Sequence, residues 1–124
     1  MPRTVLEEAR QHPAIRDKIA NLNADIVHNV QAAATSNPVL VVGMAGNPWV
    51  RRVRKTLASA GIAYQYLEYG SYFGEWRKRN ALKMWTGWPT FPMVFVKGIL
   101  VGRASDVSRL IANGELQRML STPA

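Results

Sequence analysis

The turn best placed to do chemistry is Asn47-Pro48-Trp49-Val50, inside "VLVVGMAGNPWVRRVRK" at 39–55. A short apolar run leads into small residues and then a basic helix. Reactive side chains and bound anions collect at such junctions, because the first free amides of the helix converge there. This turn carries no thiol, hydroxyl, imidazole or carboxylate. Asn47 is instead a good helix cap, and Pro48 falls at the first helical position, where its missing amide costs nothing. The 124 residues contain no cysteine. That excludes structural disulfides, Cys-ligated zinc, protein-ligated iron–sulfur clusters and a thiol redox cycle run by the chain itself. His12 and His28 have no acidic or sulfur group clustered with them, so no metal ligand set is expected. Tyr64, Tyr66 and Tyr69 alternate partly along a strand and read as sheet packing rather than a platform for bases. The remaining chemistry is cationic: Arg51, Arg52, Arg54, Lys55, Arg77, Lys78, Arg79 and Lys83. From pattern alone most of these are a solvated helix face.

The charge balance points the same way. Sixteen Lys and Arg against eight Asp and Glu give +8 and a pI near 10.5. That suits an acidic partner, whether nucleic acid, anionic membrane surface, acidic protein or small anion, and equally suits plain solubility. Length and a 48% hydrophobic content fit one globular domain. No apolar run approaches the ~18 residues of a membrane span. "MPRTVLEEARQHP" has no apolar signal core, so a cytoplasmic location is expected.

The elements that must position these residues follow from periodicity. Thr4 and Glu7 have capping-box spacing and predict a short helix over 4–12, broken by Pro13. Ile15, Ile19, Leu22, Ile26 and Val30 recur at steps of three and four, predicting one longer helix that stops at "TSNP", 35–38. Val39 to Val42 reads as a buried central strand, and Gly43 to Gly46 as the turn. The following helix turns Val50, Val53 and Leu57 inward and ends at Gly61. "AYQYLEY" (63–69) predicts a parallel strand. Phe73 to about Trp85 predicts a helix; Met93 to Val96 and Ile99 to Gly102 predict a hairpin turning at Lys97-Gly98. A helix over 105–113, capped by Ser105 or Asp106 and closed by Gly114, precedes a last turn at 115–120. The order β-α-β-α-β-β-α predicts an α/β fold: a four-stranded mixed sheet with helices on both faces.

That order, with "WPTFP" (88–92), "VFVKGILVG", "DV" and "NGEL", resembles the glutaredoxin branch of the thioredoxin fold over about residues 15–121. It is more similar to the monothiol glutaredoxins than to the dithiol ones. "NPVLVVGMAG" (37–46) resembles the run entering their active site. The resemblance implies a three-layer thioredoxin-like domain at 37–121, with an N-terminal helical extension, 1–36, packed on it. The reactive motif of the family, Cys-Gly-Phe-Ser or Cys-Pro-Tyr-Cys, falls on Asn47-Pro48-Trp49-Val50. An Asn amide cannot replace the attacking thiolate.

The same resemblance implies a glutathione groove, half of it kept. Ala45 stands where the family has a carboxylate-binding lysine. Arg79 matches a ligand arginine, and Lys83 lies one helical turn further on. Thr90, Phe91 and Pro92 match the loop that pairs with the ligand backbone, with Phe91-Pro92 expected to be cis. Gly102 and Ser105 lie in the segment that holds the γ-glutamyl end, with Arg103 and Ala104 between them and Asp106 one place later than in the family. Charged hydrogen bonds are worth ~1.5–3 kcal/mol each, so losing two weakens binding by two decades or more.

The expected function is non-catalytic binding of glutathione, another small anion or an acidic protein tail through a degenerate active-site groove. The alternatives are an adaptor using the N-terminal helices, and a redox or iron–sulfur role whose thiol comes from bound glutathione. Nucleic acid ranks lower, because no recognition motif accompanies the charge.

Overall fold

The computed structural model describes residues 3–71 and 74–121. Its centre is a four-stranded sheet in the order β2-β1-β3-β4. β1 (Val39–Gly43) runs parallel to β2 (Gln65–Glu68) and antiparallel to β3 (Met93–Val96), which pairs antiparallel with β4 (Ile99–Gly102). This is the mixed sheet that the sequence predicts. Lys97 (φ 52) and Gly98 (φ 79) make the tight hairpin turn, whose twist needs both residues left-handed.

Side chains alternate across the strands and build two cores. On one face, Leu40, Val42, Met93 and Phe95 meet Ile26, Val30 and Ala34 of α2 (Ala24–Ser36) and Ala81 and Leu82 of α4 (Trp76–Thr86). On the other, Val39, Val41, Val94 and Val96 meet Val53 and Leu57 of α3 (Pro48–Ser59), Val107 of α5 (Ala104–Ala112) and Leu116 of α6 (Glu115–Ser121). α3 ends as its sequence predicts: Gly61 is left-handed, and the Ile62 amide reaches back to the Leu57 carbonyl.

The N-terminal expectations need correction. The predicted helix over 4–12 is reduced to a 3-10 turn at Glu8–Arg10, and Thr4 caps nothing there. Val5 and Leu6 are exposed, so no packing rescues so short a helix. Gln11 and His12 before Pro13 are extended, as residues preceding proline prefer. Pro13 opens α1 (Pro13–Asn21), capped by the His12 imidazole on the Ala14 amide. The single long helix is also two helices. Asn23 adopts φ 49 and separates α1 from α2. The apolar stripe therefore splits: Ile26 and Val30 are buried, whereas Ile15, Ile19 and Leu22 are 41–53% exposed.

Two further boundaries move. The predicted start of α4 at Phe73 lies outside the described residues, and α4 itself begins at Trp76. α5 begins at Ala104 with Arg103 as N-cap, not Ser105 or Asp106. Asp106 nevertheless helps to cap it, accepting from the Arg103 amide from the third helical position.

Candidate anion groove

The groove lies where β1 and β3 meet the starts of α3 and α5. The β1–α3 turn is lashed to the chain after β2: Tyr69 N–H donates to Gly43 O (2.9 Å), and Ala45 N–H to Gly70 O (2.7 Å). Asn47 is buried, and its Oδ1 accepts from both Trp49 N (2.9 Å) and Val50 N (3.2 Å). Arg51 N–H bonds the Asn47 carbonyl, and Pro48 has no amide to offer. The helix start where a thiolate or bound anion would sit is thus filled by the chain's own amide oxygen. Val50 points into the core, whereas Trp49 is 54% exposed, with the Arg52 guanidinium 5.5 Å from its ring centroid.

The opposite wall is the loop "TFP". The Phe91-Pro92 bond is cis, as the resemblance implies. Phe91 and Pro92 are buried and Thr90 is exposed. Lys83 Nζ sits 5.8 Å from the Phe91 ring centroid, against the back of this loop. The third wall is the β4–α5 corner. Gly102 has φ 117, and a Cβ there would lie 2.5 Å from Asp106 Oδ2. Glycine is required twice over, by backbone conformation and by space. The Asp106 carboxylate takes the Arg103 amide at 3.0 Å and the Arg103 Nε at 3.5 Å. The Arg103 guanidinium also lies 5.3 Å from the Trp88 ring centroid, and the Trp88 Nε1 is buried without a hydrogen-bond partner.

Between these walls is a cavity of 460 Å³. Thr90, Phe91 and Ser105, all predicted site residues, line it together with Trp49 and Ala104, and Arg52 and Arg103 flank it. Pro92, Gly102 and Asp106 frame it without lining it. Lys83 stands behind the loop. Arg79 is placed differently: it is buried, and its Nη1 donates to Tyr69 O (3.0 Å) and Gly74 O (2.6 Å). Arg52 and Arg103 are the site cations that sequence reasoning did not single out. Arg52 was one of several basic helix residues, and Arg103 was noted only as a departure. The Arg52–Trp49 contact is an i,i+3 helix pair, whereas the Arg103–Trp88 contact and the shared cavity are set by the fold.

Two tyrosines near β2 titrate high. Burial, then the hydrogen bond and charge of Glu68, push Tyr66 up to about 12. Burial, then Glu75 and Asp25, raise Tyr69 as well.

The glutaredoxin family model matches residues 39–101, the turn, the "TFP" loop and the hairpin together. The chain belongs to the glutaredoxin family. It is 45% identical over 102 residues to a glutaredoxin-like protein of Dictyostelium discoideum, covering 82% of this chain and 83% of that one. It is also 43% identical over 58 residues to monothiol glutaredoxin-4 of Schizosaccharomyces pombe, but this spans only 45% of the chain and 24% of that longer protein. Among solved structures, a buckwheat glutaredoxin–glutathione complex superposes with a TM-score of 0.72 at 28% identity, covering 82% of this chain and 92% of that one. This glutaredoxin-family chain has no cysteine in its 124 residues. No helix among the described residues is long and apolar enough to cross a membrane.

Proposed function

We propose that this glutaredoxin binds a glutathione-like anion in the groove and does not itself perform thiol–disulfide exchange. One observation carries the reading: a formed groove, with its cis "TFP" loop and open cavity, stands beside a turn whose nucleophile position is a doubly bonded Asn47. The buckwheat relative was solved with glutathione, which supports the choice of ligand. In this reading the Thr90–Pro92 backbone pairs with the cysteinyl part of the ligand. Ser105 and the start of α5 face its γ-glutamyl end, framed by Gly102 and Asp106. Lys83 supplies positive charge behind the loop, and Arg79 shapes the groove by holding the Tyr69 and Gly74 carbonyls. With Ala45 for lysine, the affinity is expected to be weak, and millimolar ligand is needed to fill the site.

Titration with reduced glutathione, followed by amide chemical shifts, tests this. Saturable shifts at 43–49, 79–83, 90–93 and 102–106 are expected. No shift at several millimolar ends the proposal. An adaptor role is favoured instead if that titration is silent, because Ile15, Ile19 and Leu22 form an exposed apolar row on the N-terminal helices. In that case replacing Ile15, Ile19 and Leu22 by polar residues releases bound partners.

A further inference from the structure

The cavity brings apolar side chains together with polar ones: Thr90 and Ser105 stand beside Trp49, Phe91 and Ala104. Its walls are the Trp49 indole, the Phe91 ring and the Ala104 methyl, and its rim carries Arg52 and Arg103. At 460 Å³ it falls within the range of small-ligand pockets. Trp49 leaves more than half of its surface in water at the mouth, an area that an apolar group on a ligand would cover. In the glutathione reading above, the ligand sulfur comes to the α3 turn. There Asn47 Oδ1 is buried and committed to two backbone amides, so nothing on the protein attacks that sulfur or its substituent.

We infer that the groove is selective for S-substituted glutathione: a conjugate whose sulfur carries an apolar chain or ring seated against Trp49, Phe91 and Ala104, bound and retained without turnover. The inference rests on the glutathione reading above and adds the substituent. The cations fit the same ligand. Arg52 has no carboxylate partner among the described residues, and Arg103 shares only Asp106, so both guanidinium groups are available to an anionic ligand at the rim.

The test compares S-hexylglutathione with reduced glutathione by calorimetric titration of the full chain and of Trp49→Ala. Trp49 is exposed, so its truncation leaves the core intact. S-hexylglutathione is expected to bind on the order of tenfold tighter or more, the effect of about two methylenes leaving water, and Trp49→Ala is expected to reduce the advantage to less than threefold. Equal affinities for the two compounds overturn the inference and leave the glutathione reading standing. An advantage that survives in Trp49→Ala also overturns it, since the hexyl chain then sits elsewhere. If neither compound binds at several millimolar, both readings fall.

Discussion

Two helix starts face one another across the groove, and they solve the same problem differently. Both α3 and α5 begin with amides that have no partner within the helix. At α3 the capping group comes from the N-cap itself: Asn47 Oδ1 takes two amides and is buried in doing so. At α5 it comes from the third helical position: Asp106 reaches back to the Arg103 amide, leaving Arg103 itself on the surface. The first start is closed and neutral. The second carries a carboxylate, an exposed guanidinium and the adjoining cavity. The difference is that one start turns its capping group inward and the other keeps charged groups at the surface. A buried cap ties the α3 turn to its helix, whereas the α5 side keeps polar groups facing outward.

The largest effect should come from reopening the closed start. Asn47→Cys places a thiol at the N-terminus of α3, where the helix lowers a thiol pKa below its ordinary ~8.5. Glutathione-dependent reduction of a glutathionylated peptide, absent in the parent chain, is expected to appear. Alkylation rate against pH is expected to show the depressed pKa. If the new thiol titrates near 8.5 and reduces nothing, the α3 turn is no longer a glutaredoxin active-site turn in any working sense.

The α5 start is broken at Gly102. Gly102→Ala forces a side chain into φ 117 and into contact with Asp106 Oδ2. A loss of about 3 kcal/mol is expected in chemical denaturation, combining backbone strain with the clash. Adding Asp106→Ala should recover the clash and not the strain, so the double variant is expected to be more stable than the sum of the two single changes. Full additivity would show that Asp106 does not set the shape of this corner.

A smaller loss sharpens the α3 side. Arg79→Met leaves the Tyr69 and Gly74 carbonyls without their donor. A destabilisation of about 2 kcal/mol is expected, with amide shift changes in 69–74 and, through the Ala45–Gly70 bond, in the β1–α3 turn. Shift changes confined to the cavity walls would place Arg79 in ligand contact rather than in the frame.

Much of this was legible from residue types. The strands show because Val39–Val42 and Met93–Val96 are continuous apolar runs, and a strand buried on both faces needs nothing else. Asn47-Pro48 announced its cap for the same local reason. The N-terminal segment misled because its signals were local while its outcome was tertiary. Thr4 and Glu7 have the right spacing but no core to pack on. The stripe from Ile15 to Val30 keeps its period through Leu22, yet Asn23 takes a left-handed conformation that periodicity cannot register. The cavity cations were hidden for a related reason. Arg52 stands one helical turn from Trp49, a spacing that pairs them on α3, but only the fold brings Arg103 to Trp88 and both cations to one cavity.

The smallest effect concerns the strand beneath the α3 turn. Tyr66 Cε1 lies 3.1 Å from where a Gly43 side chain would begin, so Tyr66 supports the end of β1 just before the turn. Its hydroxyl donates to Glu68 Oε1, and the Arg54 guanidinium stacks 4.1 Å from its ring centroid. The phenol titrates at about 12 in the folded chain, against about 10 when unfolded. The folded state therefore holds this proton more tightly. The stabilisation is fully present below pH 10 and is lost as pH rises from about 10 to about 12. Phenolate absorbance should show an ionisation step in that window, and Tyr66→Phe should remove that step and flatten the alkaline loss of stability. Because no tyrosine among the described residues lines the cavity at the α5 start, the alkaline change is expected to appear first in amide signals of 39–50 and later, if at all, in those of 102–107. Simultaneous loss in both segments would mean that the two helix starts are not separable units and that the sheet couples them.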